Sequence, residues 1–509
     1  MNMKKLTIYV TLVALMGLLT VGCTNLDEEV YSQLPMDAYG ATEAEITSLI
    51  APIYTRNRDF NAIHGINNVS DQAVTPTRRG GDWWDGGAFK EMTMGLWRPQ
   101  TGNAITGTYN TSFNRITECN KIINLIENSP AIADKAPYLS QVRAARAWRY
   151  IQLVDCYGNV PVVTDFTDLS KPSTKTRAEV YNFIMTELND IKDVIRSDVS
   201  TSSYGKFTKG AVYTMLAKMY LNAMVWNPAG GQKWQECIDA CNVVMGLNYS
   251  LEPVWKDQFN DANENSKEAI LVAVNSLSSS FGVRGYTLHY LDPIALGIPG
   301  GANNGIAAMP DYVKSFDPDD KRYLGSFIIG PMTNPATGEV IITAHGRPLI
   351  HTVDITMKYA IDADGWGQTE QEDGARCNKW EFKKGARAME NDYAILRLAD
   401  VYLMKAEALV RKDPANVTEA TALVNALRSR VFTDPAKLKT TVTLEDIYNE
   451  RRFELAWEGW GRQDMIRFGT FLNPIPGWRP KALDSYRLLF PIPQTAIDAN
   501  PNLTQNPGY

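Results

Sequence analysis

The chain has 509 residues, 44% of them apolar, and a formal charge of −6. That length and apolar fraction allow a large hydrophobic core, while an acidic chain offers no field to draw in a phosphate backbone, which argues against a nucleic-acid partner. Only four histidines and six cysteines occur, without an HExxH or paired CxxC pattern, so a zinc enzyme is disfavoured and no cofactor or metal is expected.

At the N-terminus Lys4 and Lys5 precede an apolar run, Leu6 to Leu19, that ends in Thr20-Val21-Gly22-Cys23. A charged start, a short apolar stretch and a small residue before the cut make a secretory signal. At ~1.5 Å per residue the run barely reaches across the ~30 Å of a bilayer core. Residues 1–22 therefore read as a signal peptide. Cys23 reads as the lipid acceptor of a bacterial lipoprotein signal, although the leucine usual three places before it stands one place earlier, at Leu19. Residues 23–40 become the anchor and tether. Cleavage removes two lysines and takes the formal charge from −6 to −8. The remaining Cys119, Cys156, Cys237, Cys241 and Cys377 are odd in number and scattered, unlike a disulfide framework. Cys237 and Cys241, four apart on one helix, read as small core residues.

Helical periodicity then recurs along the chain. Tyr109, Phe113, Ile116, Ile123 and Ile126 share a stripe. So do Ala144, Trp148, Ile151 and Val154, with Arg143, Arg146 and Arg149 expected to turn away. Thr176-Arg177-Ala178-Glu179 spells a capping box ahead of Phe183, Ile184, Leu188 and Ile191. Thr208 should cap a helix through Met215 and Met219 that Asn227-Pro228 ends, and 234–245 forms a short partner. Helices are predicted over 394–411, 417–431 and 444–468. Consecutive amphipathic helices with small residues at contact points suggest stacked pairs. Residues 58–104 and 251–389 differ in texture: rich in Gly, Asn, Trp and Pro, with short strands such as 269–274 and 340–343. The expected fold is mainly α: a tetratricopeptide-like scaffold of helical pairs over about 41–57, 105–250 and 390–470, an irregular loop-rich cap and a few short strands, all in one domain, 41–509. Long irregular segments on a rigid scaffold are where binding surfaces usually lie.

Five motifs occur in order: Phe113-Asn114-Arg115-Ile116 through Asn120-Lys121-Ile122-Ile123; Arg143 to Tyr150, continuing to Gly158-Asn159-Val160-Pro161; Ile395 to Ala408; Asn449 to Gly459; and Leu489-Phe490-Pro491-Ile492-Pro493 with Gln505-Asn506-Pro507-Gly508-Tyr509. Together they resemble the SusD/RagB family over most of the chain. The resemblance implies a lipid-anchored protein on the outer face of the outer membrane. It implies capture of a glycan and hand-over to a SusC-like TonB-dependent transporter, without bond cleavage. Asp27-Glu28-Glu29 resemble the acidic stretch that accompanies surface export in such bacteria. The alternatives are a peptide or other nutrient as ligand, a glycan-cleaving enzyme on the same scaffold, or a protein-binding helical array.

A sugar ring has an apolar C–H face and a rim of hydroxyls, so its site needs an accessible flat aromatic beside Asp, Asn or Arg. The stretch 78–103 supplies these types. Asp71, Arg79, Trp97 and Asn103 are the positions the resemblance carries over, with Trp83 and Trp84 beside them and Tyr286 and Tyr290 in the second loop-rich segment. Trp366 is expected at a loop tip, and Asn303-Asn304 primarily as a turn. Glu450, Glu454 and Glu458, at i,i+4 spacing, would repel one another unless paired. A glycosidase instead needs two carboxylates facing across the sugar. They read as structural ion pairs, with Arg451 placed to answer Glu454 and Arg462 to answer Glu458.

Overall fold

The computed structural model describes residues 42–55, 74–75, 95–101, 104–130, 132–264, 266–276, 285, 287–355, 369–475 and 479–509. Its scaffold is helical. The helices α1 (Glu43–Thr55), α2 (Ala104–Asn128), α3 (Ala136–Cys156) and α4 (Arg177–Ile191) pack in sequence, with α1 against both α2 and α3. Then α5 (Lys209–Leu221) packs on α6 (Trp234–Met245), α6 on α7 (Leu398–Lys412), and α7 on α8 (Thr418–Arg428) and α9 (Leu444–Glu454). Each helix meets the next in the sequence or the next in the stack, the arrangement of stacked helical pairs. No helix among the described residues is long and apolar enough to cross a membrane.

Local chemistry explains the starts. The Thr176 side chain accepts from the amide of Glu179 while the Glu179 carboxylate reaches back to the cap, so α4 opens on the capping box read from the sequence. Thr208 Oγ1 caps α5 through the amide of Ala211. Thr443 and Asp446 form a second capping box at α9, which was not singled out in the sequence.

The core among the described residues is one large apolar cluster whose members extend from Ile46 to Ile492, with three smaller clusters, one of them between α7, α8 and α9. Cys237 and Cys241 are buried members of it, and the five described cysteines are unbridged.

Four predicted elements differ, the first being the helix expected to run from Thr208 to Asn227, which ends at Leu221 and is followed by a separate short helix, Ala223–Trp226. The helix expected from Ala394 begins only at Leu398; Tyr393–Arg397 is instead a strand paired antiparallel with Ala269–Ala273. A five-residue run buried on both faces has no periodicity to tell strand from helix. The helix expected over 444–468 is broken: α9 stops at Glu454 and α10 (Gly461–Arg467) follows after a turn in which Trp457 and Gly459 take positive φ, 65° and 78°. The ammonium of Lys379 donates to the carbonyls of Glu454 and Ala456, both at 2.8 Å, so two acceptors released at the helix end are satisfied in the interior. The stretch 340–343 contributes isolated bridges rather than a strand.

The arginines of α3 do not turn to solvent. Arg146 is buried and grips Glu187 of α4 through Nε and Nη2, at 2.9 and 2.6 Å, and Arg143 shares the same carboxylate. Arg149 is buried as well. From Ser140 onward α3 is buried except at the half-buried Arg143, so its charges need partners on adjacent helices.

Glu407 of α7 gives a pH expectation. Its buried carboxylate accepts from Arg467 Nε at 2.7 Å and Arg411 Nε at 2.8 Å. Burial alone would raise its pKa, but the Arg467 guanidinium, helped by Arg411, overrides this and brings it to about 2. An unfolded glutamate titrates near about 4.3, so this stabilisation is full above that pH and lost as pH falls toward 2. Denaturation midpoints of Glu407→Gln should therefore fall less steeply with acidification across that window than those of the parent protein.

Candidate functional site

The loop-rich cap is held together by a few buried polar residues. The strand β1 (Val74–Thr75) pairs antiparallel with β2 (Ala307–Ala308), in register Val74↔Ala308 and Thr75↔Ala307. On the other side of β2, the amide of Ala308 donates to the carbonyl of Ala375 at 3.0 Å. Segments far apart in the chain therefore meet here. The guanidinium of Arg376 is fully enclosed and donates to the carbonyls of Ile306, Gln371 and Asp373, at 3.1, 2.7 and 3.1 Å. The turn expected at Asn303-Asn304 is not formed: their amides donate to the distant carbonyls of Gly285 and Leu288, at 2.7 and 2.9 Å, while Asn304 takes a φ of 50° and its side-chain amide donates to the Gln371 carbonyl at 3.1 Å.

Tyr290 lies within this knot, half-buried, with its hydroxyl donating to Gln371 Oε1 at 2.8 Å. The ring of His289 backs it, with centroids 4.0 Å apart and planes tilted by 33°. His289 is itself fixed. Its Nδ1 accepts from the amide of Leu291 at 3.1 Å, and its own amide donates to Asp292 Oδ2 at 2.6 Å. Burial, reinforced by the nearby Arg376 charge, pulls the His289 pKa down to about 3, so the ring is neutral at physiological pH. The other oxygen of Asp292 meets His351 Nε2 at 2.7 Å, and His351 Nδ1 faces the Glu372 carbonyl at 3.0 Å. Tyr290 is thus one face of a preorganised plate whose supports are buried. No group of three or more metal-ligating side chains that could hold an ion occurs among the described residues.

Trp97 is elsewhere. Its side chain is 1% exposed, so the expectation that it offers its face to a ligand is corrected. Its indole N–H donates to Tyr509 Oη at 2.6 Å, Phe490 meets it edge-on at 5.1 Å, and the Arg487 guanidinium lies over the ring at 5.6 Å. Gly95 begins this stretch in the left-handed region (φ 69°), where a Cβ would come within 2.6 Å of Leu483. The ring is enclosed by the C-terminal tail, which itself closes on the Gly158–Pro161 turn. Asn506 Nδ2 donates to the carbonyls of Tyr157 and Phe490, at 2.7 and 2.8 Å, and Asn159 donates to Asn506 Oδ1 at 2.9 Å. Asp71, Arg79, Trp83, Trp84, Asn103, Tyr286 and Trp366, like Cys23 and Asp27 to Glu29, lie outside the described residues.

The glutamates of 450–458 are in ion pairs, as expected, but with other partners. Glu454 is met by Arg322, Arg397 and Arg430 at 2.9, 2.8 and 2.9 Å. Glu450 is met by Arg322 and Arg428, and Glu458 by Lys379 and Arg397. Arg451 instead holds Asp400 and Asp464, and Arg462 lies near Asp155. Burial raises the Glu454 pKa, but Arg430, Arg397 and Arg322 more than reverse this and hold it well below the usual carboxylate range. A carboxylate enclosed by three guanidinium groups is suited to locking a core, not to passing a proton.

Sequence reading missed His289, Asp292, His351 and Gln371. The His-x-x-Asp spacing at 289–292 was the one local signal, and the other two residues join only through the fold.

Residues 245–509 match the model of the SusD family, and residues 25–221 match a model described as starch-binding associating with outer membrane. The starch-binding protein SusD of Bacteroides thetaiotaomicron is 26% identical over 467 residues, covering 84% of this chain and 82% of that protein. Among solved structures, a SusD superfamily protein from Parabacteroides distasonis superposes with a TM-score of 0.75 at 20% identity, over 92% of this chain and 99% of that one. Surface glycan-binding protein A from Bacteroides thetaiotaomicron, in complex with laminarihexaose, superposes with a TM-score of 0.71 at 20% identity, over 91% and 99%.

Proposed function

Because this chain belongs to the SusD family, we propose that it is a lipid-anchored glycan-binding protein of the outer-membrane surface. In this reading it captures oligo- or polysaccharide and delivers it to a SusC-like TonB-dependent transporter, without cleaving a bond. Cys23 carries the lipid, and the loop-rich cap carries the glycan. The observation that supports the cap most directly is Tyr290: a half-buried ring, held by Gln371 and backed by neutral His289. A sugar's C–H face can lie against the exposed part of such a ring while nearby polar groups pair with its hydroxyls. Because the supports are already in place, little ordering entropy is lost on binding. Asp71, Arg79, Trp83, Trp84, Asn103 and Tyr286 are proposed to join Tyr290 around the ligand. The starch-binding and laminarihexaose-bound relatives favour a glycan over a peptide as the ligand class.

The experiment is affinity electrophoresis of residues 24–509 through gels containing starch, laminarin, xylan or alginate. At least one polysaccharide should retard the protein, with no reducing ends released on prolonged incubation. Tyr290→Ala should weaken that retention about tenfold, as expected if one ring contact contributes about 1.4 kcal/mol. Migration unaffected by every polysaccharide would remove the glycan reading, and release of reducing ends would replace capture by catalysis.

A further inference from the structure

A second surface, on the helical scaffold rather than the cap, has the composition of a sugar site. Between α2 and the segment after Pro161 lies an open cleft of about 300 Å³ lined by Asn120, Asn124, Glu127, Thr164, Asp165 and Phe166. Its volume falls at the small end for ligand pockets, room for one or two sugar units. Phe166 is 38% exposed, the most exposed Phe, Tyr or Trp among the described residues.

The cleft is built before any ligand arrives. Val163, at its edge, is clamped through its carbonyl by Asn120 Nδ2 at 2.9 Å and through its amide by the Tyr150 hydroxyl at 2.8 Å. Asn120 is held in turn by Arg146 at 2.7 Å. Asp165 Oδ1 accepts from both the amide and the hydroxyl of Thr167, each at 2.7 Å, which fixes the turn that presents Phe166. Asn124 Oδ1 accepts from Asn128 at 2.8 Å and keeps a second lone pair, so Asn124 can meet a hydroxyl either as acceptor or through its amide hydrogens. Glu127 and Asp165 can only accept. The complementary ligand therefore brings several hydroxyl donors and an apolar face for the ring. Two carboxylates and no cation in the lining disfavour sulfate or uronate groups.

We infer that this cleft is a second contact for a neutral glycan, with Phe166 as its stacking platform and Asn124, Glu127 and Asp165 as its hydroxyl partners. The inference rests on the glycan-capture reading of the cap. Two weak contacts on one polymer chain raise its retention beyond either alone, so the cleft matters most for long chains.

The test uses the same gels with Phe166→Ala, Phe166→Trp, Tyr290→Ala and the Phe166→Ala/Tyr290→Ala double variant, each first checked for an unchanged melting temperature. Phe166→Ala should weaken retention by starch, laminarin or xylan about tenfold and Phe166→Trp should strengthen it, a gain that a merely structural ring would not produce. The double variant should fall below either single one. The cleft assignment is overturned, and the cap reading kept, if Tyr290→Ala weakens retention while both Phe166 variants migrate as the parent. It is equally overturned if only alginate retards the protein, or if Phe166→Ala spares glycan retention but weakens co-purification with an outer-membrane transporter. No retention by any polysaccharide overturns both readings together.

Discussion

Replacing Arg397 by Met should lower the unfolding free energy by about 3–5 kcal/mol, the cost of removing one partner from a buried charge cluster. Arg397 uses all five of its N–H groups: Nε and Nη2 on the two oxygens of Glu458, Nη1 on Glu268 and Glu454, and Nη2 again on the Glu454 carbonyl, all at 2.7–2.8 Å. The surrounding cluster is balanced, with Arg322, Arg397, Arg428, Arg430 and Lys379 against Asp320, Glu268, Glu450, Glu454 and Glu458. Removing one cation leaves buried carboxylates short of partners, far from water that could replace them. Arg397→Lys should not restore stability, because a single ammonium has three donors on a point charge and cannot span three carboxylates and a carbonyl. Urea denaturation measures this directly. A midpoint change equivalent to less than about 1 kcal/mol, the range of exposed ion pairs, would mean the cluster is not holding strand, α9 and the following turn together.

Trp97→Ala should destabilise by about 3–5 kcal/mol while leaving glycan retention, measured well below the melting temperature, as in the parent. The ring fills a pocket between Phe471, Phe490 and Tyr509, and its N–H is the partner of the Tyr509 hydroxyl. Trp97→Phe should recover part of the loss, restoring the apolar contact without that hydrogen bond. The opposite pattern, lost retention at unchanged stability, would return Trp97 to the ligand site.

Both expectations concern residues whose chemistry was plain in the sequence and whose surroundings were not. That Glu450, Glu454 and Glu458 needed cations followed from their spacing on a helix. Which cations did not: Arg322 is 132 residues from Glu454, and Glu268 is 129 from Arg397. The tryptophan at 97 had the right residue type and a polar, glycine-rich setting, yet its neighbour across the hydrogen bond is 412 residues away. Tyr290 shows the converse. A tyrosine in a Gly- and Pro-rich segment is unremarkable as sequence. Its standing rests on His289, Asp292, His351 and Gln371, which loop geometry brings together.

The amino-acid sequence by itself determined what depends on neighbours within a turn or two: the helix stripes, the Thr176 capping box, the Thr208 cap and the need of three glutamates for counter-charges. Helical periodicity and capping act over about four residues, so a linear reading can see them. Only the tertiary structure decided that Arg146 and Arg149 of α3 would be buried, that 393–397 would be a strand, that α9 would stop at Glu454 and that Trp97 would be sealed. Each of these depends on which distant surfaces meet, and burial and pairing energies are set by that meeting rather than by local propensity.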